Sequence, residues 1–165
     1  MFKERRINLA ESLNPGSAII LYGAQIQYRN ADSAYAFRQD SNFWYLSGFN
    51  EADSVMLIMK DIEQQITSMI FVPPKDKTKE IWDGYRSGPD GAIKDFGFDE
   101  AYENSKLEEL MPQLLVGLHQ VYHLIGKNQR FDQQIIQFIK SAQTKDRHNP
   151  NICLLYTSPS PRDAT

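Results

Sequence analysis

Cysteine is almost absent. The 165-residue chain has one, Cys153, which excludes an internal disulfide and any cysteine-based metal site. Histidine is scarce too, with only His119, His123 and His148. His119 and His123 straddle an expected helix end and an expected strand, where side chains four apart do not converge on one ion. Each histidine reads as a satisfied or exposed side chain. No apolar run approaches the roughly 20 residues of a membrane-spanning helix, and the N-terminus, charged from Lys3 to Arg6, lacks the apolar stretch of a secretory signal. Excess positive charge is also missing. A net charge of −3 gives no reason to expect nucleic acid or a membrane as partner. The expected compartment is the cytoplasm.

Catalytic signatures are missing as well. There is no GxSxG, no P-loop and no GxGxxG. The paired acids, Glu51 with Asp53 and Asp99 with Glu100, lie in expected turns, where acids cap helices or face solvent. No set of residues offers nucleophile, base and oxyanion donor together.

What is present suits one globular domain: 41% hydrophobic and 24% charged residues. Met1 to Leu13 reads as a helix, with Phe2, Leu9 and Leu13 on one face, stopped by Asn14-Pro15-Gly16. Ser17–Gly23, Ser54–Lys60, Gln65–Val72 and Gln120–Gly126 read as strands, with a hairpin loop at Asp61–Gln64. Ala24–Asn30 reads as a loop with a little strand and Lys75–Lys79 as a charged loop. A small helix from Pro89 ends at Gly97. A capping box, Ser105 with Glu108, opens a helical segment that Pro112 either kinks or divides. Phe131–Lys145 is an amphipathic helix. The expected fold class is α/β, a mixed β-sheet flanked by helices on both faces.

The densest aromatic stretch is Tyr35–Asp53, YAFRQDSNFWYLSGFNEAD. Phe43-Trp44-Tyr45-Leu46 is apolar on consecutive residues, which predicts a strand covered on both faces. Arg38 and Asp40, inside the stretch, are expected to form a buried ion pair.

Residues 153–165 do not continue the pattern. Cys153 to Asp163, CLLYTSPSPRD, resembles the translation of a transposase adapter used in DNA sequencing libraries. The domain is therefore expected to span 1–150. Residues 151–165 would then be a linker remnant plus an adapter-derived tail, and the natural part would lack cysteine.

The segment Asp32-Ser33, Tyr35 and Phe37 to Glu51, FRQDSNFWYLSGFNE, resembles the signature of the N-terminal domain of aminopeptidase P, the Xaa-Pro aminopeptidases. Glu80-Ile81-Trp82-Asp83-Gly84-Tyr85-Arg86 is similar to that family's second landmark, and Pro15-Gly16-Ser17-Ala18 and Val121-Tyr122-His123 also fit. The related prolidases share the domain but depart at FWYLSGF. Ala52-Asp53 departs from the family's common Glu-Pro pair.

The resemblance implies a longer parent with a creatinase-like N-terminal domain. Its C-terminal pita-bread domain would hold two divalent metal ions, commonly manganese, on two Asp, two Glu and one His. That domain would cleave peptides before a proline in second position. All five ligands would lie outside this chain, which should have no cofactor and no activity of its own. Its implied partners are its own catalytic domain, neighbouring subunits of a homo-oligomer, and peptide substrates with Pro at position 2. The resemblance assigns gating of a neighbour's active site to Trp82 and, at the same entrance, to Asp32. The alternatives are a free-standing interaction module of the same fold or the N-terminal domain of a prolidase-like dipeptidase.

Overall fold

The computed structural model describes residues 1–147 and 152–156; the expectations for His148 and for 157–165 lie outside them. The first helix, α1 (Phe2–Glu11), precedes strand β1 (Ser17–Tyr22). A two-stranded hairpin follows, β2 (Tyr28–Asn30) with β3 (Ser33–Ala34), then helix α2 (Ser41–Ser47). Strands β4 (Val55–Lys60) and β5 (Ile66–Val72) lead to helices α3 (Lys77–Asp83) and α4 (Gly88–Phe96). Strand β6 (Glu100–Glu103) and a 3-10 turn precede α5 (Leu107–Leu115). The described chain closes with β7 (Gln120–His123), α6 (Gln129–Lys145) and β8 (Cys153–Tyr156).

The main sheet runs β6-β5-β4-β1-β7-β8. Only β4 is antiparallel to its neighbours. β4 and β5 are buried on both faces because their apolar residues are consecutive. Leu57 and Phe71 join one core with α5 and α6, while Ile58 and Ile70 join the other with α1, α2 and α4. The mixed sheet with helices on both faces is as expected.

Three expectations fail. Phe43–Leu46 is not a strand but the middle of α2. Asp40 caps this helix, its Oδ1 accepting from the N–H groups of Asn42 and Phe43 at 3.0 Å each. Gly48 ends it in the left-handed region at φ 67°. Phe43, Leu46 and Ser47 then point inward at helical spacing, and Trp44 and Tyr45 point outward. The Arg38–Asp40 ion pair is not formed either. Arg38 is exposed, and the second oxygen of Asp40 pairs with Lys127 at 2.5 Å. The Ser105–Glu108 capping box does not form, because the 3-10 turn Asn104–Lys106 runs straight into α5 with no side-chain cap. Pro112 stays inside α5.

Two further differences concern boundaries. The expected loop 75–79 already contains the start of α3, because Asp76 accepts from the N–H groups of Thr78 and Lys79. Cys153–Tyr156 pairs in parallel with β7, and Ile152 is buried in the α5–α6 core, so the sheet extends past residue 150.

Arg6 fastens one face. It is 1% exposed, and its guanidinium donates to the carbonyl oxygens of Leu46 (2.9 Å), Phe96 (3.0 Å) and Gly97 (2.8 Å) while stacking on Phe98. These carbonyls lie at the C-terminal ends of α2 and α4, where the helix dipole favours a cation. Burial pulls the Arg6 pKa down to about 10 and Asp99 partly opposes this, so Arg6 stays charged at neutral pH.

Candidate functional site

Trp82 stands near the end of α3 and is 86% exposed. Ile81 and Tyr85 beside it are exposed as well. The tryptophan is therefore no core residue. The segment stops at Gly84, whose φ of 88° suits glycine and whose missing Cβ would meet only open space. The segment's far side is anchored more firmly. Glu80 Oε1 accepts from the Arg86 N–H at 3.0 Å, and Lys75 lies 5.0 Å from the Tyr85 ring centroid.

Asp32 lies in the β2–β3 turn and is exposed. The turn is made by its neighbour. Asn30 Oδ1 accepts from the Asp32 N–H at 3.1 Å, the Ser33 N–H at 2.9 Å and the Ser33 hydroxyl at 3.1 Å. The Asp32 carboxylate has no hydrogen bond or ion pair among the described residues, so it is available to something outside. Asp32 and Trp82 stand on separate elements, and no hydrogen bond joins them directly.

A cavity of about 630 Å³ opens where β1 and β7 end side by side. From there β1 leads toward the α2 face and β7 toward the α6 face, a switch point of the kind that favours crevices. Several of its polar groups are already paired. His123 Nε2 lies 3.0 Å from Asp132 Oδ1, and its Nδ1 lies 3.4 Å from the Ile20 carbonyl oxygen. Tyr22 donates to Gln134 and stacks on Phe131; burial pushes its phenol pKa up, with Asp132 and Glu108 adding to the shift. Lys127 holds Asp40. His123 is thus a satisfied structural histidine, as expected. Among the described residues no group of three or more His, Cys, Asp and Glu is placed to hold a metal ion. The dimetal ligand set of the resembling family does not fit these residues, and no step can be built on it here. No helix among the described residues is long and apolar enough to cross a membrane.

Sequence reasoning missed two residues beneath these tips. Gln39, 7% exposed, uses its whole amide. Its Oε1 accepts from the N–H groups of Ala24 (2.7 Å) and Asp40 (3.0 Å), and its Nε2 donates to the carbonyls of Phe49 (3.0 Å) and Glu51 (3.1 Å). Glu51 was expected in a turn, capping a helix or facing solvent. Instead its Oε1 accepts from the Ser87 N–H at 2.7 Å, and its Oε2 is buried without a partner. No signal in the sequence sets Gln39 apart, since Asn42 and Asn50 are amides in the same aromatic run.

A family model described as the aminopeptidase P N-terminal domain matches residues 2–122. The chain belongs to this family. Over 148 residues it is 37% identical to the Xaa-Pro aminopeptidase of Escherichia coli K12, covering 90% of this chain and 34% of that protein. It is 40% identical over 117 residues to intermediate cleaving peptidase 55 of Saccharomyces cerevisiae, covering 69% of this chain and 23% of that protein. Its fold superposes on a variant of Escherichia coli aminopeptidase P with a TM-score of 0.87 at 35% identity, covering 95% of this chain and 36% of that one. For proline aminopeptidase P II of Yersinia pestis the TM-score is 0.86 at 32% identity, with coverage of 95% and 36%. The chain thus spans between about a quarter and a third of the length of such relatives, and it corresponds to their N-terminal domain.

Proposed function

We propose that this aminopeptidase P domain is the non-catalytic front part of a longer Xaa-Pro aminopeptidase, where it shapes the substrate entrance and takes part in subunit contacts. The observation that carries this reading is the match to Xaa-Pro aminopeptidases across most of this chain but only 34% of the Escherichia coli protein. In such a protein the remaining length supplies the metal-dependent chemistry. Two divalent ions, manganese in the common case, would activate water for attack on the bond before proline. This domain would contribute Trp82 and Asp32 at the entrance of a neighbouring subunit's site. The compartment that fits is the cytoplasm.

The exposure of Trp82 supports the gating role, because large exposed aromatics are typical anchors at protein and ligand contacts. The domain's own part is to bind and orient the peptide and to exclude water, not to move a proton. In the full-length protein, Trp82→Ala should raise KM for X-Pro peptides about tenfold with metal content intact. Unchanged kinetics would remove the gate. Reading the gene past Asn151 tests the parent. A downstream frame with the five metal ligands supports the peptidase, whereas a natural stop there makes the chain a free-standing module.

A further inference from the structure

The two exposed tips rest on one short chain of partly buried hydrogen bonds. Ala24 and Gln39 are the two feet of the segment that carries Asp32, and the Ala24 N–H donates to Gln39 Oε1. Gln39 Nε2 then donates to the Glu51 carbonyl. Glu51 Oε1 accepts from the N–H of Ser87, the rear foot of the segment that carries Trp82. Close approaches make both junctions specific. A Cβ on Gly23 would sit 3.1 Å from Gln39 Oε1, and one on Gly88, already at φ 66°, would sit 3.0 Å from the Lys75 Cβ. The feet are therefore packed and hydrogen-bonded, while the tips they carry are free.

We infer that Gln39 and Glu51 are positioning residues that hold the Asp32 hairpin and the Trp82 helix in one fixed relation, so that the two sides of the entrance act as a unit. This rests on the gating role proposed above for those tips. Neither residue needs to touch substrate. Gln39 suits the task because an amide can accept on one side and donate on the other. Glutamate has the same shape but would set a carboxylate oxygen against two carbonyls. At position 51 only an acceptor for Ser87 is required, so glutamine should serve there.

The test has two readouts. In the 165-residue chain, amide exchange at Ser87 should be about tenfold faster in Glu51→Ala and close to unchanged in Glu51→Gln. Should Glu51→Ala fail to fold, Ser87→Pro removes the N–H donor, and the hydroxyl with it, at a φ of −71° that proline accepts. Faster exchange of the 76–86 amides in that variant supports the anchor, and unchanged exchange overturns it. In the full-length protein, Glu51→Ala and Gln39→Glu should each raise KM for X-Pro peptides about fivefold with kcat within about twofold, and Glu51→Gln should restore KM. If Trp82→Ala raises KM while Glu51→Ala and Gln39→Glu do not, the anchor is wrong and the gate stands. If Trp82→Ala has no effect, the gate fails, and the Ser87 exchange result alone decides the anchor.

Discussion

Arg6 and Trp82 are both large side chains on short helices, with opposite surroundings. Arg6 is a charged residue in the interior, with three main-chain carbonyls and an aromatic ring around it. Trp82 is an aromatic residue in solvent, on an element with no core contact of its own. In each case polarity alone would place the residue on the other side of the surface. Their neighbours resolve the paradox. A buried cation is tolerable where helix C-termini present unsatisfied carbonyls. An exposed tryptophan is tolerable where its segment is closed by Asp76 at one end and by Glu80 and Gly84 at the other. Stability is concentrated at the first place, and the surface free for recognition at the second.

The sharpest way to break this contrast is to remove the cation. Arg6→Leu leaves the Leu46, Phe96 and Gly97 carbonyls without their donor. It should cost about 3–5 kcal/mol, read as a lower urea midpoint at an unchanged slope. Lysine at this position should recover part of the loss at most, since one ammonium cannot reproduce the planar fork. A loss under about 1 kcal/mol would mean that the interior at this face is wetter than the structure has it. The next effect belongs to Asp40, which both caps α2 and holds Lys127. Asp40→Ala should cost about 1–2 kcal/mol, mostly from the cap, and Lys127→Ala no more than about 1 kcal/mol because that pair is half exposed.

These residues also mark how far the sequence can be read. β4 and β5 were legible because their apolar runs carry β-branched residues and flank the turn Asp61–Gln64, which together mark paired strands. The apolar run at Phe43–Leu46 misleads, because a four-residue apolar run fits a strand or a buried helix turn equally well. The deciding marks were the punctuation, Asp40 before the run and Gly48 after it. β6, Glu-Ala-Tyr-Glu, was invisible because an edge strand needs little apolar content. At the candidate site, Trp82 was legible only through the family resemblance of its segment. Gln39 and Glu51 were not. Their partners are main-chain atoms remote in sequence, and nothing in a residue's type announces which backbone group it will meet.

A smaller effect concerns pH. Burial alone would raise the Asp99 pKa, but the Ser68 N–H, Lys3 and the Ser68 hydroxyl together outweigh it and hold the carboxyl below its ordinary value of 3.8. A depressed folded-state pKa means that the unfolded chain takes up protons first as pH falls. The contribution is therefore complete above the unfolded pKa and is lost as pH falls through the folded one. Between about pH 5 and pH 3 the wild-type chain should lose more stability than Asp99→Asn. Equal acid sensitivity in urea titrations would detach Asp99 from the sheet–α4 junction.

The smallest expected effect is the most informative about function. Trp82→Ala and Asp32→Asn should each change the stability of the chain by no more than about 0.5 kcal/mol, because neither side chain has an interior contact to lose. Alanine is also the better helix former at position 82. Thermal unfolding of the two variants beside the parent measures this directly. A clear drop for Trp82→Ala would show that the ring packs on the domain, and the contrast with Arg6 would collapse. If stability is unmoved, an 86% exposed tryptophan owes nothing to the fold that displays it. Its apolar ring then gains by burial only against a surface outside this domain, and a loss of substrate affinity in the same variant would identify that surface as the peptide entrance.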